Sequence, residues 1–427
     1  MRGNVESGVD AGGGSPVGCA ALIGKRPLRR RSSRYRRDRG CMTIREARIR
    51  FDRNELAGSF GDIGTDLPLI VAMIPAAGLN GATVFVVFGV LQVLSGLLYG
   101  LPMPMQPLKA MAVIVITQGV GAETLWGGGL AIGLVMGALA LTPALGWLVK
   151  VIPPAAVRGV QLGLGLALTS LALRDYVPSL GVEGYVLAGG CFLVVVVLWG
   201  SRRWPSALIV IVIGLVYAAA AKIDWGEVRV GLPTTFTTPG VPRWEAVWTG
   251  LVLLALPQLP LSLSNAVIAT RRTAADLFPA RPVSIRKLGL TYAAANVASA
   301  MLGGVPVCQG CGGLAGHHAF GARTGGSVVI YGAIFIVLGM VLGDAVGTLA
   351  GAYPRPVLGV ILLVEAVALM LLVRDMAGDR SKFTIVLLVG ASAFTLPQGY
   401  LVGILLGTGL HYYWRWRAVG AGGTEHP

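Results

Sequence analysis

The chain has 427 residues, 54% of them hydrophobic and only 13% charged, with a mean hydropathy of +0.72 and a formal net charge of +15. This excludes an ordinary soluble globular domain and describes an integral membrane protein of many helices. The 62 glycines suit close helix packing, and the five cysteines (Cys19, Cys41, Cys191, Cys308, Cys311) do not suggest a disulfide framework.

Residues 1–57 are polar and basic, and the first 50 hold no apolar run long enough for a secretory signal. The run Lys25-Arg-Pro-Leu-Arg-Arg-Arg-Ser-Ser-Arg-Tyr-Arg-Arg carries charge suited to nucleic acid or acidic lipid. A disordered cytoplasmic tail is the simpler reading. Met42-Thr-Ile-Arg-Glu offers an alternative start.

The expected fold is an all-α polytopic membrane protein. Fourteen apolar segments are read, seven over 58–223 and seven over 247–416, with a connecting loop at 224–246 and a short tail at 417–427. The first opens Gly58-Ser-Phe-Gly-Asp-Ile-Gly-Thr-Asp-Leu-Pro68, with Asp62 and Asp66 one turn apart. A carboxylate inside a membrane is costly and usually functional. Asp62 is therefore either the acceptor of a coupling proton or cation, or the ion-pair partner of Lys109. Asp66 is placed at the membrane edge, and Thr65 is a candidate hydroxyl donor.

The third segment opens Leu101-Pro-Met-Pro-Met-Gln-Pro-Leu-Lys-Ala-Met111. Three prolines, a glutamine and a lysine fit membrane depth only where the backbone is buried in protein or lines a cavity. Pro102 and Pro104 favour extended chain, and Pro107 suits the first position of a helix. An extended strand turning into a half-helix is expected, with the N–H groups of Leu108 and Lys109 unpaired and facing a cavity. Such a helix start binds anions, and broken helices at the midplane mark transporter sites. A proline-kinked spanning helix, with Gln106 bonded to a neighbour, is the alternative.

The eighth segment contains Pro257-Gln-Leu-Pro-Leu-Ser-Leu-Ser-Asn265, where 4- and 3-residue spacing puts Gln258, Ser262 and Asn265 on one face. That stripe either lines the site, chiefly through Gln258 and Asn265, or bonds to other helices. The tenth segment, Val305-Pro-Val-Cys-Gln-Gly-Cys-Gly-Gly313, repeats the broken pattern. Gly310, Gly312 and Gly313 allow close backbone approach to a ligand. Gln106 and Gln309 would each add an amide donor between two facing helix starts. Glu365, in the twelfth segment, is read as a helix-packing residue.

Cys308-Gln-Gly-Cys311 has redox-motif spacing but lacks a βαβ context, and adjacent His317 and His318 make a poor metal pair. No cofactor, metal site or catalytic residue is expected, and no phosphate loop or nucleophile elbow occurs.

With the N-terminus in the cytoplasm, alternation puts 29 Lys and Arg inside and 5 outside, leaving Lys109 in the membrane. This is the positive-inside pattern, with both termini cytoplasmic. Pro154-Ala-Ala-Val-Arg-Gly-Val160 matches Pro354-Arg-Pro-Val-Leu-Gly-Val360 at an offset of 200 residues. Because seven is odd, the two halves face opposite ways, as in the inverted repeats of secondary transporters.

Four motif groups resemble the molybdate transporter type 1 family, a relative of the sulfate permeases. They are Gly61-Asp-Ile-Gly-Thr-Asp-Leu-Pro68; Met105-Gln-Pro-Leu-Lys-Ala110; Pro257–Asn265 with Asp276-Leu-Phe-Pro279; and Pro306–Gly316 with Phe320-Gly-Ala-Arg323. The resemblance implies core and gate bundles and a tetrahedral oxyanion between the third and tenth segments, with help from the first and eighth. Only Ala418–Pro427 follows the last segment, which favours the molybdate branch over permeases with a cytoplasmic domain there. The expected protein is thus an inner-membrane secondary transporter for molybdate, with sulfate or tungstate as related substrates. Its expected partners are the oxyanion, membrane lipid and a second copy in a homodimer, without nucleic acid. A nucleobase or organic-anion carrier, an anion channel and a membrane redox enzyme are the alternatives.

Overall fold

The computed structural model describes residues 49–198, 206–223, 231–238 and 240–420. The basic run at 25–37, Cys19 and Cys41 lie outside the described residues, as does part of the connecting loop. The elements of the first half are α1 (Arg53–Gly58), α2 (Ile63–Ala77), α3 (Gly81–Tyr99), β1 (Met105–Pro107), α4 (Lys109–Gln118), α5 (Ala122–Leu141), α6 (Ala144–Val151), α7 (Pro154–Leu171), α8 (Gly181–Val197) and α9 (Ser206–Ala221). In the second half, α10 (Trp244–Gly250), α11 (Leu256–Leu261) and α12 (Thr270–Leu277) run into one another through π-helical turns at Leu251–Ala255 and Ser262–Ala269. There follow α13 (Ile285–Met301), β2 (Val307–Gln309), α14 (Cys311–Ala319), α15 (Gly326–Leu342), α16 (Ala345–Ala352), α17 (Arg355–Leu371), α18 (Arg380–Thr395) and α19 (Gly399–Gly420).

The order strand, half-helix, long helix, short helix occurs twice. Paired elements from α3 and α13 through α8 and α18 start 199 to 204 residues apart. The proline motif seen in the sequence opens α7 and α17, where Pro154 and Pro356 occupy early helix positions whose N–H groups need no partner. Among the described residues, five helices are long and apolar enough to cross a membrane by themselves, or six if the bent α15 and α16 pair counts as one. The other segments are shorter, interrupted or more polar, so length alone does not reproduce the expected fourteen.

Two groups of helices are evident. In one, α3 packs on α15 and α5 on α13, contacts that the repeat relates to each other. In the other, α7 packs on α17, α18 and α19, and α17 also meets α8. Small residues set the closest approach. A Cβ on Gly89 would lie 2.6 Å from the Gly332 carbonyl oxygen, so only glycine lets the α3 and α15 backbones meet there. On α8, Val182, Val186, Leu193 and Val197 are exposed, which an aqueous surface would penalise and lipid would not.

Each broken segment combines a three-residue strand with a short helix. β1 pairs antiparallel with β2, with Met105 opposite Gln309, Gln106 opposite Cys308 and Pro107 opposite Val307. The outward backbone groups of these strands are satisfied by side chains from neighbouring helices. Gln92 of α3 accepts from the Met105 N–H at 2.8 Å and donates to its carbonyl at 2.6 Å, while the Ser95 hydroxyl donates to the Met103 carbonyl at 2.6 Å. Asn296 of α13 does the same for Val307 at 3.0 and 2.7 Å, and Ser299 donates to the Val305 carbonyl at 2.5 Å. A buried strand without water needs such partners, and the repeat supplies the clamp twice.

The folded part begins earlier than the expected boundary at residue 58. Asp52 caps α1, and the buried Glu55 carboxylate accepts from the backbone N–H groups of Arg323 and Thr324 at 2.9 Å and Ser327 at 3.0 Å. It ties the first helix to the turn before α15, where the helix dipole also favours negative charge. The second half likewise begins at Trp244 rather than 247, and α19 runs past 416 to Gly420. Glu55→Ala leaves three N–H groups without their acceptor and is expected to destabilise the protein by about 2–4 kcal/mol, read as a lower unfolding temperature in detergent.

Candidate oxyanion site between two half-helices

α4 and α14 leave the β1–β2 ladder in opposite directions, so both positive ends lie at the ladder. The N–H of Leu108 is not free, contrary to the expectation. It donates to the Pro306 carbonyl at 2.9 Å and extends the ladder by one bond. Pro107 lies within β1, and Leu108 is the buried residue before α4. The N–H groups of Lys109, Gly312 and Gly313 have no acceptor among the described residues. Gly312 is exposed and faces open space, since a Cβ built there meets nothing within 4 Å.

Gln106 lies at the start of α14. Its Nε2 donates to Asp62 Oδ2 at 2.6 Å, and Gly310 leaves no room for a Cβ beside its side-chain oxygen. A Cβ on Gly313 would lie 2.5 Å from Asp62 Oδ2 and 2.6 Å from Pro104. Asp62, the cap residue of α2, is therefore wedged between β1 and α14. Its other oxygen accepts from the Thr65 hydroxyl at 2.8 Å. The Thr65 hydroxyl also donates to the Asp62 carbonyl at 3.0 Å, so it serves its own helix turn and is not an unengaged donor.

Gln309 does not join Gln106. Opposite residues of an antiparallel pair share a face, and faces alternate along a strand. Gln106 therefore shares its side with Cys308, while Gln309 lies on the other. Its Nε2 donates to Thr291 of α13 at 3.1 Å, and its carbonyl accepts from Thr270 at 3.0 Å. Its buried Oε1 has no partner among the described residues.

The polar stripe of the long interrupted helix reaches both half-helices. Gln258 Oε1 accepts from the Ala110 N–H at 2.9 Å and the Met111 N–H at 3.4 Å, capping α4. Its Nε2 donates to Ser262, which bonds Tyr292 at 2.7 Å. Asn265, seven residues on from Gln258, accepts from the Cys311 thiol at the start of α14 at 3.0 Å. Pro257 contributes to the π-helical turn before it, because it lacks an N–H and crowds the preceding turn.

Lys109 pairs with Glu365 of α17, not with Asp62. The pair joins α4 to the helix group built on α7, and it gives Glu365 a charged partner where helix packing alone was expected. Asp66 is 1% exposed and accepts from the Tyr331 hydroxyl at 3.2 Å. Sequence reasoning also missed Gln92, Ser95, Asn296 and Ser299. The repeated spacing Gln92-x-x-Ser95 and Asn296-x-x-Ser299 was the available signal.

Fold and site together define a multi-pass membrane protein of the anion-transporter class. The family model described as molybdate transporter of the MFS superfamily matches residues 54–168 and 250–369. Molybdate transporter 1 of Arabidopsis thaliana is 30% identical over 398 residues, covering 82% of this chain and 87% of that protein. Molybdate transporter 1 of Chlamydomonas reinhardtii is 27% identical, covering 84% and 92%. The chain belongs to this molybdate transporter family.

Among solved structures, the transmembrane domain of the cyanobacterial bicarbonate transporter BicA superposes with a TM-score of 0.60 at 16% identity, covering 85% of this chain and 98% of that one. The anion transporter murine Slc26a9, in its inward-facing state, gives 0.63 at 14% identity, covering 84% and 68%. These likenesses identify the scaffold as the inverted-repeat fold with core and gate bundles. The group containing α3, α5, α13 and α15 with the two half-helices corresponds in chain order to the expected core bundle, and the group containing α7 and α17 to the expected gate bundle.

Proposed function

We propose that the chain carries molybdate across the cell membrane by alternating access, with tungstate and sulfate as competing substrates. The oxyanion lies between the starts of α4 and α14 and takes the N–H groups of Lys109, Gly312 and Gly313. The observation that carries this reading is the pair of half-helix starts with open donors beside the open face of Gly312. Gln258 and Asn265 brace the two helix starts, and Gln106 orients Asp62 behind them. The scaffold moves the core bundle, with its anion, against the gate bundle. Both termini lie in the cytoplasm, as the distribution of Lys and Arg favours, and a second copy completes a homodimer in lipid.

Calorimetric titration of purified protein with molybdate tests this reading. Molybdate is expected to bind, and Gln106→Ala is expected to weaken binding by about tenfold, because it removes the donor that holds the Asp62 carboxylate wedged against the start of α14. Gln309→Ala, directed away from the site, leaves affinity within about threefold. Loss of affinity in Gln309→Ala but not in Gln106→Ala would place the anion on the other side of the ladder. Absence of molybdate binding to the parent would remove the substrate assignment.

A further inference from the structure

The Lys109–Glu365 pair is the buried ion pair that spans the two bundles among the described residues: Lys109 is the first residue of core helix α4, and Glu365 lies mid-way along gate helix α17. A side chain at the first helical position leans toward the N-terminal end, where the unpaired N–H groups are. Lys109 is partly exposed there, with 29% of its side chain accessible against 9% for Glu365. An anion at the start of α4 and the Glu365 carboxylate therefore compete for one ammonium.

Charge makes that competition costly unless a proton intervenes. Glu365 alone among the described residues pairs with Lys109 directly, and the Asp62 and Asp66 carboxyl groups at the start of α2 act on its ammonium through space. Among the described residues, no other cation on the elements packed against α17, Arg374 of the turn that follows it included, pairs with Glu365. Arg158 of α7 is bound to Asp375, Glu183 of α8 accepts from Tyr217 of α9, and Arg174 and Asp175 lie at the far end of α7. Bringing a divalent anion into such a cluster adds like charge in a medium that screens poorly. Asp62 already accepts hydrogen bonds on both oxygens, and Asp66 is held by Tyr331. Glu365 is the carboxylate whose counter-ion the substrate takes.

We propose that Glu365 is the proton acceptor of the transport cycle: the oxyanion draws the Lys109 ammonium away from it, and the released carboxylate takes one proton from water. The step is balanced. Hydronium gives its proton to a Glu365 oxygen and becomes water, and the ion pair between bundles is replaced by an ammonium–oxyanion pair within the core bundle. Core and gate are then no longer tied by charge and can slide. On the far side the anion leaves and the proton returns to water, and the Lys109–Glu365 pair closes again once the empty core has returned to its starting position. One proton accompanies each anion. This deepens the molybdate reading and rests on it.

The test is calorimetric titration with sodium molybdate near neutral pH, in two buffers of different ionisation enthalpy, so that the difference in heat counts protons. The parent is expected to take up about one proton per molybdate bound. Glu365→Gln is expected to bind within about tenfold of the parent affinity and to take up none. Glu365→Asp and Asp66→Asn keep the proton. Where Glu365→Gln alone does not fold, because Lys109 is left unpaired, Lys109→Gln combined with Glu365→Gln removes both charges; it is expected to bind molybdate more weakly, for want of the ammonium, and to take up no proton with the molybdate it binds. Proton uptake that persists without Glu365, that vanishes in Asp66→Asn, or that is missing in the parent overturns the proposal. A parent that binds molybdate without a proton overturns this inference alone, whereas a parent that binds no molybdate overturns the substrate reading and this inference with it.

Discussion

Gly310→Ala is expected to abolish molybdate uptake, whereas Gly312→Ala, two residues away, lowers affinity and leaves the fold intact. At position 310 the new Cβ overlaps the Gln106 side-chain oxygen, so the amide must leave its place beside Asp62. Overpacking of that kind costs about 1–3 kcal/mol, and it removes a donor from a buried carboxylate as well. At position 312 the Cβ meets nothing within 4 Å, so nothing in the protein has to move. The methyl group enters only the space assigned to the anion. The expected result is an unchanged unfolding temperature with a loss of about fivefold or more in affinity, the effect of obstructing one backbone donor. Unfolding in detergent and titration of the same samples with molybdate check both arms. Equal behaviour of the two variants would mean that the site does not lie on the Gly312 side of α14.

The second large effect is structural. Asn296→Leu is expected to destabilise the protein by about 2–6 kcal/mol, and Gln92→Leu by a similar amount. Each substitution strands one N–H and one carbonyl of a buried strand, and each such group costs about 1–3 kcal/mol. The two positions are related by the repeat, so their effects should match more closely than those of two unrelated buried amides. Unfolding temperatures in one detergent, with Gln309→Ala as reference, test the equivalence. A small effect at either position would show that another group or water takes over the strand backbone.

Much of the scaffold was legible in the residues because proline, glycine and charge act locally. Prolines at 102, 104 and 306 favour extended chain, and the match at 154 and 354 exposes the repeat, whereas Pro107, expected to open the helix, lies in the strand. Gln258 and Asn265 were placed on one face by spacing alone, and the structure brings that face to both half-helices. Pairing was not legible. Whether Gln309 faces Gln106 depends on strand register, which no local pattern in a three-residue strand encodes. The same register uses the Leu108 N–H, which looked unpaired when β1 was considered without β2. Asp62 was the partner offered for Lys109, and nothing local in the sequence ties Lys109 to Glu365, 256 residues away. Asp66 looked peripheral because it stands beside polar residues, yet its turn of α2 is enclosed by α15 through Tyr331.

Uptake of labelled molybdate into proteoliposomes tests most directly whether the chain is a carrier whose site lies in a moving core bundle. With an inward proton gradient, molybdate is expected to accumulate above its external concentration and to be displaced by excess tungstate. Uptake that only equilibrates under the same gradient, at a rate that does not saturate with molybdate, would describe a channel and contradict the account.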